Sequence, residues 1–213
     1  MHMPPQPAGL PRLEGPVLVL GSAPGAIPPA DLERRRLLTV NASQVIAEGW
    51  GRPRPDLTLF GTTVLGLRPS NRAAQQVLGR RGTGCLVRMT DGSTTLIHDF
   101  NLWRMRYMAD RVVPLDIAAR RDLLAGVVGE AVADRLKPSN GVYLTALAIA
   151  LGATDIVMAG FSLTAAGHAY NDANHPRNHV DADREVLLAL VALGVSVATT
   201  SGAFADASGL DRT

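Results

Sequence analysis

A helix followed by a buried strand is most clearly encoded in residues 139–160, SNGVYLTALAIALGATDIVMAG. Ser139 and Asn140 are typical helix caps, Gly152 is typical of a helix C-terminus, and the residues between them are apolar on nearly every side. A helix without a polar face is buried in the protein. The short apolar run at 155–160 then predicts a central strand of a parallel sheet.

Short apolar runs alternate with helical patterns along the rest of the chain. Strands are predicted at 16–21, 37–41, 56–60, 85–89, 112–115 and 195–199, and helices at 28–36, 70–80, 117–136 and 181–193. Residues 94–110 give no clear pattern. This alternation predicts a single Rossmann-like, doubly wound α/β domain with a mainly parallel sheet and helices on both faces.

The composition is that of one folded domain. The 213 residues are 46% hydrophobic and 19% charged, with a net charge of +2, which gives no reason to expect a nucleic-acid partner. The lone Cys85 excludes a disulfide framework. The Pro-rich residues 1–15 are predicted to form a disordered leader, and residues 16–213 the domain, with a short lid loop at about 163–180.

No signal peptide or transmembrane segment is predicted from the sequence. A cytoplasmic location is therefore the default expectation. A peripheral position at the inner face of the membrane is a further option.

Glycine and polar residues follow four of the predicted strands. Ligands of doubly wound sheets bind at the carboxyl ends of the strands. The free N–H groups and the positive dipole end at the start of the buried helix suit a phosphate. Each position also fits an ordinary turn, and the turn at 21–25, GSAPG, has neither the dinucleotide nor the Walker spacing. The candidate binding residues are Gly21, Ser22, Asn41, Thr62, Ser162, Ser139, Asn140 and Gly141.

Three of the five histidines, His168, His175 and His179, lie within 12 positions of one another. A neutral imidazole is a natural general base for a sugar or alcohol hydroxyl. The spacing is irregular and contains no zincin-like pattern, so no metal site is predicted. A polar surface loop with incidental histidines is the other interpretation.

The segment 139–160 closely resembles a stretch of the bacterial sialyltransferases of glycosyltransferase family 42. In that family a Ser-Gly-Val-Tyr helix start, an Ala-Ile-Ala-Leu-Gly body and a glycine-ended strand come in the same order. The turn at 21–25 is similar to the family's Gly-Asn-Gly-Pro-Ser turn after the first strand. Asn41 stands where the family has an asparagine after the second strand.

The resemblance implies a GT-A-like fold and a metal-independent transferase without a cofactor. Such an enzyme moves a 2-keto acid sugar, sialic acid or one like Kdo, from its CMP donor to a glycan hydroxyl in polysaccharide biosynthesis. Its partners are a nucleotide sugar and a glycan acceptor, and the family forms homo-oligomers.

The resemblance also implies roles for individual residues. Asn41, Asn140 and Gly141, with Ser139 adjacent, are expected to contact the nucleotide. Tyr170 is expected to support the leaving phosphate. A histidine acts as the general base, and His179 fits this position best, with His175 second.

Two positions depart from the family pattern. Thr164 stands where a second tyrosine is expected, and Gly61 or Thr62 where an asparagine follows the third strand; the lid is also shorter. Two alternatives therefore stay open. One is a non-catalytic nucleotide-binding homologue. The other is a pterin or nucleotide pyrophosphokinase-like enzyme, which would need carboxylates for Mg²⁺.

Overall fold

Eight parallel strands form one sheet in the computed structural model, which describes residues 9–67, 69–92, 95–164, 167–170 and 179–213. The strand order is β5-β4-β3-β2-β1-β6-β7-β8. The chain therefore builds outward from β1 in one direction, then returns to add β6 on the other side of β1. The strands are β1 (Gly15–Leu20), β2 (Arg36–Val40), β3 (Leu57–Phe60), β4 (Gly82–Thr90), β5 (Met108–Asp116), β6 (Ala153–Ala159), β7 (Val197–Thr199) and β8 (Asp211–Arg212).

Helices cover both faces of this sheet. Alternate side chains of one strand, Val17 and Leu18 for example, enter different hydrophobic clusters because successive residues point to opposite faces. One face packs on α4, α5, α6, α7 and α8, and the other on α1 to α3. The predicted doubly wound α/β domain is confirmed. The helices are α1 (Gln44–Glu48), α2 (Pro69–Leu78), α3 (Thr95–Met105), α4 (Ile117–Val128), α5 (Glu130–Arg135), α6 (Asn140–Ala150), α7 (Val180–Ala192) and α8 (Gly202–Ser208).

Helix α6 is the most deeply buried helix, as its sequence predicts. Every residue from Gly141 to Ala150 is buried. The helix packs on β1, β2, β3 and β6, and α4 and α7 contact it from other sides. Its apolar side chains therefore form the centre of the largest hydrophobic cluster.

Two predicted helices differ from the structure. The prediction for 28–36 is wrong, because only a short 3-10 turn, Leu32–Arg34, forms after the two prolines. The predicted helix 117–136 is divided into α4 and α5 at Gly129, whose φ of 90° is outside the helical region. The unassigned residues 94–110 contain α3 and the first residues of β5.

The predicted leader is too long at its C-terminal end. Leu10 and Leu13 are buried in the main hydrophobic cluster, and the Leu13 N–H donates to the Leu151 carbonyl. Burial of these two leucines fixes the chain on the domain before β1 begins. Residues 1–8 lie outside the described part of the chain.

Among the described residues, no helix has both the length and the apolar character that crossing a membrane requires.

A buried arginine joins three parts of the chain at the amino edge of the sheet. Arg35 is 7% exposed. Its Nε donates to Asp31 Oδ1 at 2.7 Å, and a terminal nitrogen donates to Asp155 Oδ2 at 3.0 Å. Another donates to the Val17 carbonyl at 3.4 Å. The hydrogen bond from Arg35 lowers the pKa of Asp31. The guanidinium therefore ties the start of β2 to β1 and β6.

We expect Arg35→Met to lower the free energy of unfolding by about 2 kcal/mol, because it removes hydrogen bonds made by a charged group. Urea denaturation measures this loss. Arg34→Met is the matched control, since Arg34 is exposed and lies one position away. The loss should narrow below about pH 4, because protonation of Asp31 removes its share of the stability from the wild type, and the variant has no such share to lose. Equal stability of the two variants would contradict this role of Arg35.

Candidate active site

An open cleft of about 440 Å³ lies where the strand order reverses, between the carboxyl ends of β1 and β6. Gly21 follows β1 and Gly160 follows β6. A Cβ on Gly21 would lie 2.4 Å from the Gly160 carbonyl oxygen, so the two strand ends approach too closely for a side chain. This is the crevice in which doubly wound sheets bind their ligands.

The N-terminus of α6 opens into this cleft. The Ser139 hydroxyl accepts a hydrogen bond from the Val142 N–H, and the Ser139 N–H donates to Asp183 Oδ1 at 2.6 Å. Within the described residues, the N–H groups of Asn140 and Gly141 have no recorded protein acceptor, as expected in the first turn of a helix. Two N–H donors and the positive end of the helix dipole are thus available to an anion.

Asn41 connects the ends of β2 and β3. Its φ of 52° lies in the left-handed region, which asparagine tolerates better than most residues. Its Oδ1 accepts a hydrogen bond from the Gly61 N–H at 2.9 Å. The side-chain carbonyl therefore shapes the cleft wall, and the side-chain amide remains for a ligand.

The close packing of Asn140 explains why position 61 is a glycine. A Cβ there would lie 2.1 Å from Nδ2 of Asn140, which reaches across from α6. Asn140 thus occupies the space that a side chain at 61 would fill. The Asn140 side-chain amide therefore lies beside the end of β3.

Ser22, His168 and Tyr170 form a connected group beside the cleft. Ser22 Oγ and His168 Nδ1 are 2.7 Å apart. The His168 and Tyr170 rings stack, with centroids 5.0 Å apart and planes 8° from parallel. Burial raises the pKa of Tyr170, and its hydroxyl shares a hydrogen bond with Ser22. Ser22 and His168 line the cleft, and Tyr170 is held behind them.

His179 lies at the cleft and precedes α7 directly. Its Nδ1 is 2.9 Å from the Lys137 carbonyl oxygen. A carbonyl only accepts, so Nδ1 carries the hydrogen and, in a neutral ring, Nε2 carries the lone pair. A backbone carbonyl thus orients the ring, and Asp183 accepts its hydrogen bond from the start of α6.

Two cations that no sequence pattern marks as functional, Arg120 and Lys137, also line the cleft. The guanidinium carbon of Arg120 lies 4.8 Å from the centre of the Tyr143 ring, and a terminal nitrogen donates to the Pro138 carbonyl at 2.9 Å. Burial lowers the pKa of Arg120. In the described part of the chain no carboxylate pairs with it. The cleft therefore favours an anionic ligand.

All eight of the predicted binding residues come together in the cleft. Tyr170 reaches it through Ser22 and His168, and His175 lies outside the described residues. Thr164, the departure from the expected tyrosine, is exposed, and its N–H donates to Ser162 Oγ at 3.1 Å. The cleft-lining predicted residues are Gly21, Ser22, Asn41, Thr62, Ser139, Asn140, Gly141, Ser162 and His179.

No group of three or more potential metal-ligating side chains occurs among the residues that the structure describes. The absence of a metal requirement stays a prediction.

Solved sialyltransferases share the architecture of this chain. Monofunctional alpha-2,3-sialyltransferase Cst-I from Campylobacter jejuni matches with a TM-score of 0.60 and 15% identity, over 93% of this chain and 80% of Cst-I. The fold is that of these sialyltransferases. CstII from Campylobacter jejuni, solved with the substrate analogue CMP-3FNeuAc, matches with a TM-score of 0.56 and 13% identity, over 92% of this chain and 86% of CstII.

A further CstII structure contains a trisaccharide acceptor and CMP, and matches with a TM-score of 0.55 and 12% identity over 92% of this chain and 86% of that one. No protein-family model and no curated protein sequence matches the chain. At these identities the likeness establishes the fold, and the activity is a separate question.

We expect Gly141→Ala to destabilise the protein by about 1–3 kcal/mol, although alanine favours helices, because its Cβ would lie 2.5 Å from the Phe161 ring. Urea denaturation measures the loss. Gly49→Ala, at a helical φ of −62° with no such contact to a ring, is the control and should be neutral or better. In a Phe161→Ala background the penalty should shrink. An unchanged penalty there would show that Phe161 is not the obstacle.

Proposed function

We propose that this protein is a sialyltransferase-type glycosyltransferase that moves a 2-keto acid sugar from a CMP donor to a glycan hydroxyl. The observation that carries the proposal is the cleft. It gathers residues from the ends of β1, β2, β3 and β6 and from the start of α6, in a fold shared with CMP-binding sialyltransferases over more than nine tenths of the chain.

The donor phosphate is proposed to bind at the N-terminus of α6. The N–H groups of Asn140 and Gly141 are directed to the cleft end of that helix, and its dipole favours negative charge there. Arg120 and Lys137 add positive charge along the same wall. These donors stabilise the phosphate more strongly as its bond to the sugar breaks and its charge grows.

The acceptor hydroxyl is proposed to give its proton to His179. The hydroxyl oxygen attacks the anomeric carbon, the bond from that carbon to the phosphate oxygen breaks, and CMP leaves with the electron pair. The proton moves to Nε2, which is free because Nδ1 donates to the Lys137 carbonyl. A positioned base of this kind contributes about 10²–10⁴-fold to the rate.

We expect CMP to bind more tightly than UMP, GMP or ADP, as measured by isothermal titration calorimetry. Asn41→Asp tests the role of the side-chain amide most directly. Aspartate keeps the oxygen that accepts from the Gly61 N–H and tolerates a φ of 52°, but it lacks the amide donor. Its CMP affinity should fall about ten-fold or more, with an unchanged melting temperature. Titration with cytidine, which has no phosphate, separates the lost donor from charge repulsion.

Equal or absent binding of CMP in the wild-type protein would refute the donor assignment. Binding of none of the four nucleotides would also refute the non-catalytic nucleotide-binding alternative. A need for Mg²⁺ in turnover would instead favour the pyrophosphokinase-like alternative.

We expect His179→Asn to lower kcat by about 10²-fold or more while the Kd for CMP stays the same. Asparagine retains an N–H for the Lys137 carbonyl, so the start of α7 is preserved. His175→Ala should have the smaller effect. The reverse ranking would move the base to His175, and full activity of both variants would exclude this region as the source of the base.

A further inference from the structure

Helix α3 buries two polar side chains together with Met105, and it exposes several large apolar side chains. His98 and Asn101 are buried, and the Asn101 amide donates to the Leu65 carbonyl at 2.7 Å. Leu96, Phe100 and Trp103 are 84%, 56% and 74% exposed. A surface helix ordinarily turns its apolar stripe to the core. The outward stripe therefore contributes little to the fold.

The three apolar side chains share one face of the helix. Their spacing of four and then three residues places them on successive turns of the same side. The rings of Phe100 and Trp103 pack together with centroids 5.8 Å apart. A row of leucine, phenylalanine and tryptophan on a solvent-facing helix is typical of a surface that enters an apolar phase.

Three arginines lie at the C-terminal ends of α2 and α3, and a fourth, Arg72, lies in the first turn of α2. Arg72, Arg80, Arg104 and Arg106 line one cavity of about 370 Å³ together with neutral residues. None of the described residues lining this cavity is acidic, and no ion pair of these four arginines occurs in the described part of the chain. We call these four residues the arginine cluster. Its charge is uncompensated and calls for an anionic partner.

The turns that carry two of these arginines support the same conclusion. Arg80 has a φ of 62° and Arg106 a φ of 52°. A left-handed residue after a helix is ordinarily glycine, because a side chain there is strained. The backbone N–H of Arg80 donates to the Met105 carbonyl at 2.8 Å, which joins the two turns. The fold thus holds arginines where glycine would be easier to accommodate.

The apolar row and the arginine cluster meet at the C-terminal end of α3, where Trp103 and Arg104 are both exposed. We propose that the outer face of α3 and the arginine cluster form a peripheral binding surface for anionic lipid bilayers. The apolar row enters the headgroup region, and the arginines bind lipid phosphates at its edge. A second copy of this chain fits less well, because a two-fold contact would bring two arginine clusters into one interface.

The position of this surface follows from the topology. Because α3 returns antiparallel to β4, Leu96 lies towards the carboxyl edge of the sheet, where the cleft opens. Arg80, Arg104 and Arg106 lie towards the opposite edge. The bilayer therefore contacts the side of the domain and leaves the cleft open. The surface shares no residue with the proposed active site, so its test is independent of activity.

Vesicle flotation with the full chain tests the proposal. Binding to phosphatidylglycerol-rich vesicles is expected, with weak binding to pure phosphatidylcholine and a loss of binding at high salt. Phe100→Ser with Trp103→Ser should abolish binding. Arg104→Gln and Arg72→Gln should each weaken it about five-fold. Leu188→Ser and Arg34→Gln, at exposed sites elsewhere, are the matched controls and should bind as the wild type does.

Tryptophan fluorescence provides a second readout. The chain has two tryptophans, so Trp50→Phe leaves Trp103 as the only one, and its emission should shift to the blue when anionic vesicles are added. Binding that is absent, or that is equal in the α3 variants, would overturn the proposal. A different result would also overturn it: the wild type forms an oligomer and binds no vesicles, and the Phe100 and Trp103 substitutions convert it to a monomer. This face would then join copies of the chain.

Discussion

The burial of α6 against the middle of the sheet is the constraint on which the other features of this molecule depend. The helix has no polar face, so every side must be covered, by β1, β2, β3 and β6 below and by α4 and α7 around it. Burial at this position also brings its N-terminus to the crevice where the strand order reverses. The same packing therefore stabilises the core and positions two N–H donors, those of Asn140 and Gly141, in the cleft.

The sequence predicted the fold well where local pattern and burial agree. α6 and β6 were predicted almost to their ends, because an all-apolar helix and a short apolar strand leave few alternatives. The predictions failed where one residue overrides the pattern. Gly129 divides the helix at 117–136, although the residues on both sides of it favour a helix. α3 was missed because its outward residues are apolar, and so the periodicity that marks a surface helix is absent.

The site was predictable in its backbone positions but only in part in its side chains. Glycine, serine and asparagine after short apolar runs mark strand ends, and parallel strands bring those ends together. No local pattern marks Arg120 as a cleft residue, because it is one of several arginines in an amphipathic helix. It reaches the cleft only through tertiary packing on Tyr143. The close approach of Asn140 to Gly61 is also invisible in sequence, because it depends on how α6 packs against the end of β3.

Three non-glycine residues in the described part of the chain have positive φ: Asn41, Arg80 and Arg106. Each such residue costs of order 1 kcal/mol more than glycine would at the same position. Asn41 lines the cleft, and the other two belong to the arginine cluster. Glycine at these positions would be less strained, so the strain is offset only by interactions that these side chains make. For Asn41 part of that action is visible in its hydrogen bond to Gly61. For the arginines, the proposed binding of lipid phosphates would supply it, since their cavity holds no acidic residue among those described.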